Sequence, residues 1–298
     1  MIILKNTLKK IILIIIDKFG YRLINKKLLD PVDQRKLTNN PKAIHYYTNS
    51  DRQVLIEAEL KNGRGLEIFS LEKNSLHPFI YATREAINSN EPKKVLRKSL
   101  KKYYLSVVPY NASEWLGLKK NEVPLLDKEP PWVSLLPWEN TSIFDKKLGR
   151  QKCAIYDNKE HGGAYSIKKG WRNFGPVSEE VLEVETNRLF KLMQSVEKYG
   201  FIRDYSNKGD IGGIVLINES NEWKWLVEWG GQHRVAVLSA MGYEKISIRV
   251  WQVVERKDVE IWPCVQSGIY SKDSALRVFD NIFYADPNNF IYRNWNNI

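Results

Sequence analysis

The chain has 298 residues, of which 43% are hydrophobic, and carries a formal charge of +11 with a pI near 9.4. Its length allows one large domain or two smaller ones, and its composition is that of an ordinary globular protein. Two distant cysteines, Cys153 and Cys264, exclude a disulfide framework, and the four histidines lack zinc-ligand spacing, so a reduced cytoplasmic setting without a structural metal is expected.

The positive charge is concentrated. Residues 1–29 and residues 93–102 each carry a surplus of six positive charges, which leaves the rest of the chain near neutral. This argues against a nucleic-acid-binding surface spread over the whole molecule. Residues 1–29 include the apolar run Ile11 to Ile16, bracketed by Lys9, Lys10 and Asp17. A membrane span needs about 20 apolar residues, so this run is too short. As a helix it sets Leu4, Leu8, Ile11, Ile12, Ile15, Phe19 and Leu23 on one side with basic flanks. That pattern suits either peripheral contact with an anionic membrane or docking on the chain's own domain.

Residues 30–150 are expected to form an α+β region. Val54 to Leu60 and Gly65 to Phe69 read as two strands of a hairpin joined by Lys61-Asn62-Gly63-Arg64. Helices are expected over Tyr81 to Asn88, over the basic stretch Lys94 to Tyr104, and over Ala112 to Leu116, ended by Gly117. Pro124 to Pro137 holds too many prolines for regular structure throughout and reads as a tryptophan-packed linker, with a boundary near residue 150.

Residues 151–298 form the last region. Residues 158–178 read as a loop carrying Glu160, His161, Trp171 and Arg172. Ser178 followed by Glu179 and Glu180 starts a helix that ends at Gly200. On it Glu185 and Arg188 share a face, as a surface ion pair would. Asp210 sits in a glycine-rich turn before the strand Ile214 to Ile217. The strand Trp225 to Trp229 then leads into Gly230-Gly231-Gln232-His233-Arg234, a helix of small and apolar residues up to Gly242, and a strand with Ile246, Ile248 and Val250. Ser271 to Phe283 reads as a closing amphipathic helix. A glycine pair entering a helix lets backbone N–H groups approach an anion, and an arginine on the first turn adds a fixed charge.

The ordered set around Gly231-Gln232-His233-Arg234 resembles the core of the ParB/sulfiredoxin superfamily, with the Gly-x-His-Arg turn as its phosphate-binding element. The resemblance covers residues 176–250, from the helix ending in Tyr199-Gly200-Phe201 to the last strand. It implies an α/β (α+β) fold built on a mixed sheet. It further implies binding or hydrolysis of a nucleotide such as ATP or CTP with Mg2+, phosphoryl transfer, or cleavage of nucleic acid. Sulfiredoxins carry a catalytic cysteine where this chain has Gln232, so sulfinic-acid reduction by that route is not expected. Partition proteins carry a helix-turn-helix after the core. Here only about fifty residues follow, with one clear helix, which disfavours a partition role.

The expectation is a phosphotransferase or nucleotide hydrolase acting on a small polar molecule, in surface polysaccharide synthesis for instance. Gly230, Gly231, Gln232, His233 and Arg234 would hold the phosphate, and His233, Glu160 and His161 are the catalytic candidates. Asp210, Trp171, Glu185 and Arg188 are secondary candidates for metal, ribose, base or ion-pair contacts. The alternatives are a ParB-like DNA-binding protein or nuclease, and a nucleotide sensor without turnover.

Overall fold

The computed structural model describes residues 30–48, 53–163, 165–202, 210–286 and 293–295. The expected N-terminal helix over residues 1–29 lies outside them. The fold is mixed α/β. Strands β1 (Val32–Asp33), β2 (Val54–Glu59), β3 (Gly63–Gly65) and β4 (Phe69–Ser70) come first. Helices α1 (Pro78–Ile87), α2 (Pro92–Ser106), α3 (Ile143–Glu160) and α4 (Glu179–Tyr199) follow, with short turns of helix between α2 and α3. Strands β5 (Ile211–Ile217) and β6 (Trp223–Trp229) lead into helix α5 (Gln232–Ala240), strand β7 (Lys245–Glu255) and helix α6 (Lys272–Tyr284).

The seven strands form one sheet in the order β1-β2-β7-β5-β6-β3-β4. Strands β5 and β7 run parallel, as do β3 and β6, while β2–β7 and β5–β6 are antiparallel. Helices α1, α2, α4 and α5 pack on one another and share a single hydrophobic cluster with the sheet.

The expected hairpin over residues 54–69 is not formed. Strand β2 pairs with β7 through Val54↔Val250, and β3 pairs with β6 through Gly63↔Trp225 and Arg64↔Leu226, on the far side of β5. The residues read as a hairpin turn make a turn of 3-10 helix at Leu60–Asn62 that carries the chain across the sheet. Leu60 N–H donates to Glu244 O, and the Trp225 indole donates to Glu59 O, so the crossing is held by residues of the last third of the chain. A Cβ on Gly63 would meet Trp225 and Leu71 at 2.6 Å, so glycine is what lets β3 lie against that indole. The stretch Gly65 to Phe69 is not one strand either, because Leu66 and Glu67 adopt φ of 46° and 73°.

The boundary expected near residue 150 falls inside α3, and the sheet and the core draw on residues from both sides of it. Helix α3 also takes up Glu160 at its last turn, so the loop expected from 158 starts only at His161. The linker over 124–137 contains two short helical turns, Pro124–Asp127 and Pro131–Val133, each begun by its proline.

Local signals account for the helices that frame the site. Ser178 caps α4 by accepting from Val181 N–H, Glu179 and Glu180 face the positive end of its dipole, and Gly200 ends it at φ 68°. Ser271 caps α6 by accepting from Ser274 N–H. The buried Arg64 donates to the Ile282 and Phe283 carbonyls at the last turn of α6, which fixes that helix against β3.

Candidate functional site

Strand β6 enters α5 through Gly230 and Gly231, at φ 60° and 106°. Gly231 is the N-cap, and a Cβ there would lie 2.9 Å from Ile211 Cγ1, so both conformation and space call for glycine. Helices α3, α4 and α6 each begin with a serine whose hydroxyl accepts a first-turn N–H. Helix α5 has a glycine N-cap and so no side-chain cap, and its first turn carries the positive end of the helix dipole.

Gln232 does not face a ligand with its amide. Its Oε1 accepts from Leu66 N–H at 3.0 Å and its Nε2 donates to Val227 O at 2.9 Å. It ties the turn to the left-handed Leu66-Glu67 pair. Arg234 is half-buried and donates to the Asp210 carbonyl at 3.5 Å. The Asp210 carboxylate is itself held by Arg249 at 2.9 and 3.2 Å, which ties the start of β5 to β7.

His233 is 2% exposed. Its ring stacks on Phe79 with centroids 4.6 Å apart, and its Nε2 lies 2.5 Å from the Glu185 carboxylate. Burial and the charge of Arg188 push the imidazole down to about 4 against the opposing pull of Glu185. Burial alone would raise the Glu185 carboxyl, but His233, Arg188 and Arg172 outweigh it and hold it below its usual value. At neutral pH a neutral His233 therefore donates Nε2–H to an ionised Glu185. This places His233 as a support beneath the turn rather than a proton carrier open to solvent.

Glu185 is fully buried, so it does not form the surface pair with Arg188 that the spacing suggested. Arg188 reaches the Asp157 carboxylate at 2.9 Å, and Arg172 reaches the same oxygen at 2.7 Å. Burial would raise Asp157, and the two guanidinium groups overcome it to hold the carboxyl well below the usual range. Trp171 is 5% exposed, with the Arg172 and Arg150 guanidinium groups 4.9 and 5.4 Å from its ring centre. Those contacts make it a packing residue between arginines. Glu160 is exposed on the last turn of α3, and half-buried His161 caps that helix. Burial and Arg188 lower the His161 imidazole, opposed by Asp157, Glu160 and Glu185, so this histidine belongs electrostatically to the same cluster.

Several residues of this region escaped the sequence reading. Arg150 donates to buried Glu67, whose carboxylate also takes the Trp115 indole N–H and the Ser134 hydroxyl. Glu228, two residues before Gly230, has its carboxyl raised to about 7, first by burial and then by Glu139 and Glu67, against the pull of Lys146 and Arg150. Its Oε2 has no partner among the described residues. Its one legible signal is an acid in a strand of apolar and aromatic residues. Asp157 gave none. No group of three or more His, Cys, Asp or Glu among the described residues is arranged to hold a metal ion, and no helix among them is long and apolar enough to cross a membrane. Comparison with protein-family models, with curated proteins and with solved structures finds no match to this chain.

Proposed function

We propose that the chain binds a nucleotide, or another phosphate-bearing molecule, at the entry to α5 and transfers or hydrolyses its phosphoryl group with a small polar acceptor. The observation that carries this reading is the left-handed Gly230-Gly231 entry to a helix without a side-chain cap, with Arg234 on its first turn. Backbone N–H groups and the helix dipole would take the phosphate oxygens, and the Arg234 guanidinium would add the counter-charge. The resemblance to the ParB/sulfiredoxin superfamily supports the same assignment, with ATP or CTP and Mg2+ as the cofactor pair.

In this reading Glu185 and His233 are positioning residues, because they fix the first turn of α5 from below. His161 is the favoured proton acceptor, since burial and Arg188 favour the unprotonated form of its imidazole and it interacts electrostatically with Glu185, which holds the first turn of α5. As an acceptor hydroxyl bonds to phosphorus, its proton passes to the imidazole, and the bond to the departing nucleoside diphosphate oxygen breaks.

The test is a thermal-shift panel of ATP, ADP, CTP and GTP with magnesium on wild type and Arg234→Ala. A ligand at about 100 times its Kd adds about 2.7 kcal/mol of stability, enough for a shift of several degrees. Stabilisation of wild type that Arg234→Ala loses, while its unliganded melting point stays close to wild type, supports the site. An equal shift in both proteins removes Arg234 from it. No shift with any nucleotide overturns the nucleotide reading.

A further inference from the structure

Leu66 and Glu67 lie in the turn that joins β3 to β4, and both adopt left-handed backbone angles, φ 46° and 73°. A Cβ disfavours that region, and turns with two such residues in succession ordinarily take Asn-Gly. A Leu-Glu pair stays there only where its surroundings impose it. Both residues are buried. The Glu67 carboxylate accepts from the Trp115 indole, from the Ser134 hydroxyl at 2.8 and 3.0 Å, and from Arg150 at 3.1 Å. Donors from three separate segments thus anchor one side chain, and with it the backbone that carries it.

In this conformation the Leu66 N–H donates to Gln232 Oε1 at 3.0 Å, and Gln232 Nε2 donates to Val227 O at 2.9 Å. Val227 and Gln232 stand on either side of Gly230-Gly231, so the Gln232 amide closes the turn on itself and fastens it to the β3–β4 tip. Two glycines have little conformational preference of their own, so the shape of this turn has to be imposed by its neighbours. If Leu66-Glu67 relaxed to a right-handed turn, the Leu66 N–H would leave Gln232 and the clasp would lose its outer anchor.

We propose that Glu67 is a positioning residue for the anion site: it holds the Leu66-Glu67 backbone left-handed, which fixes Gln232 and through it the Gly230-Gly231 turn. The proposal rests on the phosphate reading of that turn.

The experiment compares Glu67→Ala, Glu67→Gly and Gln232→Met with wild type, as full chains with melting points recorded. Hydrogen exchange over residues 228–234 is read without ligand, and affinity for ATP and CTP with magnesium is read by calorimetry. Both Glu67 variants deprive the same donors of their acceptor, but glycine adopts φ 73° freely and alanine does not. In Glu67→Ala and Gln232→Met, exchange at the turn should quicken and nucleotide affinity fall, each about tenfold or more, whereas Glu67→Gly should stay within about threefold of wild type. A side chain needed only for packing would leave glycine no better than alanine. The proposal is overturned if Glu67→Gly falls as far as Glu67→Ala, or if folded Glu67→Ala or Gln232→Met keeps wild-type exchange or wild-type affinity. Gln232→Met decides the matter if Glu67→Ala does not fold. If neither nucleotide binds wild type, the phosphate reading fails and the positioning role falls with it; the exchange rates then show separately whether Glu67 orders the turn.

Discussion

Glu185, fully buried, and Glu228, half-buried, flank the same turn to different effect. Glu185, on α4, meets the His233 imidazole and lies near Arg188 and Arg172. It stays ionised, and its charge is built into the packing of α4 on α5. Glu228, on β6, has Glu139 and Glu67 among its neighbours and leaves one oxygen without a donor among the described residues. Its proton is loosely held near neutral pH. Burial pushes both carboxyls the same way, so the difference comes from the partners the fold supplies.

The sharpest way to break that contrast is Glu185→Ala. It leaves the buried His233 N–H without an acceptor and opens a void beneath the turn. A loss of about 3 kcal/mol is expected, read as a lower urea midpoint at unchanged slope. Glu185→Gln keeps an acceptor and should recover at least half of that. An unchanged midpoint in the alanine variant would show that the pair contributes nothing to stability.

Glu228→Gln should act in the opposite direction. The folded-state value of Glu228 is raised from 4.5 to about 7, so the wild type is most stable below the lower value and loses stability as pH rises through the upper one. Removing the titration should raise the melting point at about pH 8.5, by an amount equivalent to at most about 3 kcal/mol, and the gain should disappear below about pH 4.5. A gain that does not vary with pH would mean that the carboxyl is not perturbed.

The smallest effect is expected at Asp157, where two arginines share one carboxylate at the half-exposed edge of the Glu185 cluster. Asp157→Asn should cost about 1–2 kcal/mol at neutral pH. Asp157 has a depressed folded-state value, so its contribution is present above its unfolded value and fades as pH falls. The gap between variant and wild type should therefore narrow in acid, as urea melts at a series of pH values would show.

Much of the C-terminal architecture was legible because its signals are local. Ser178 and Gly200 mark the ends of α4, Ser271 marks the start of α6, and the β5-β6-α5-β7 order follows from alternating and helical patterns in contiguous segments. The place of β3 was not legible. Its partners Trp225 and Leu226 are distant in sequence, and Asn62-Gly63 reads as a hairpin turn to any local rule. The site divides in the same way. The glycine pair and Arg234 announce a turn of special geometry, whereas the buried state of Glu185 depends on what α4 packs against. Spacing gave its shared face with Arg188, yet Arg188 turned to Asp157 on another helix. Glu228 looks like an ordinary outward residue of an alternating strand until the segment around Glu139 and Lys146 closes over it.

The pairing of Val54 with Val250 has a consequence for how the molecule is made. A ribosome releases the chain from the N-terminus, so β2 emerges long before the strand that completes its hydrogen bonding. Strand β3 likewise waits for β6. Until β7 is synthesised, the nascent chain exposes the edges of two strands and the apolar residues they will bury, Val54 and Ile56 among them. Such a topology folds slowly and late, and translation in the presence of a holdase chaperone should yield more native protein than translation without one.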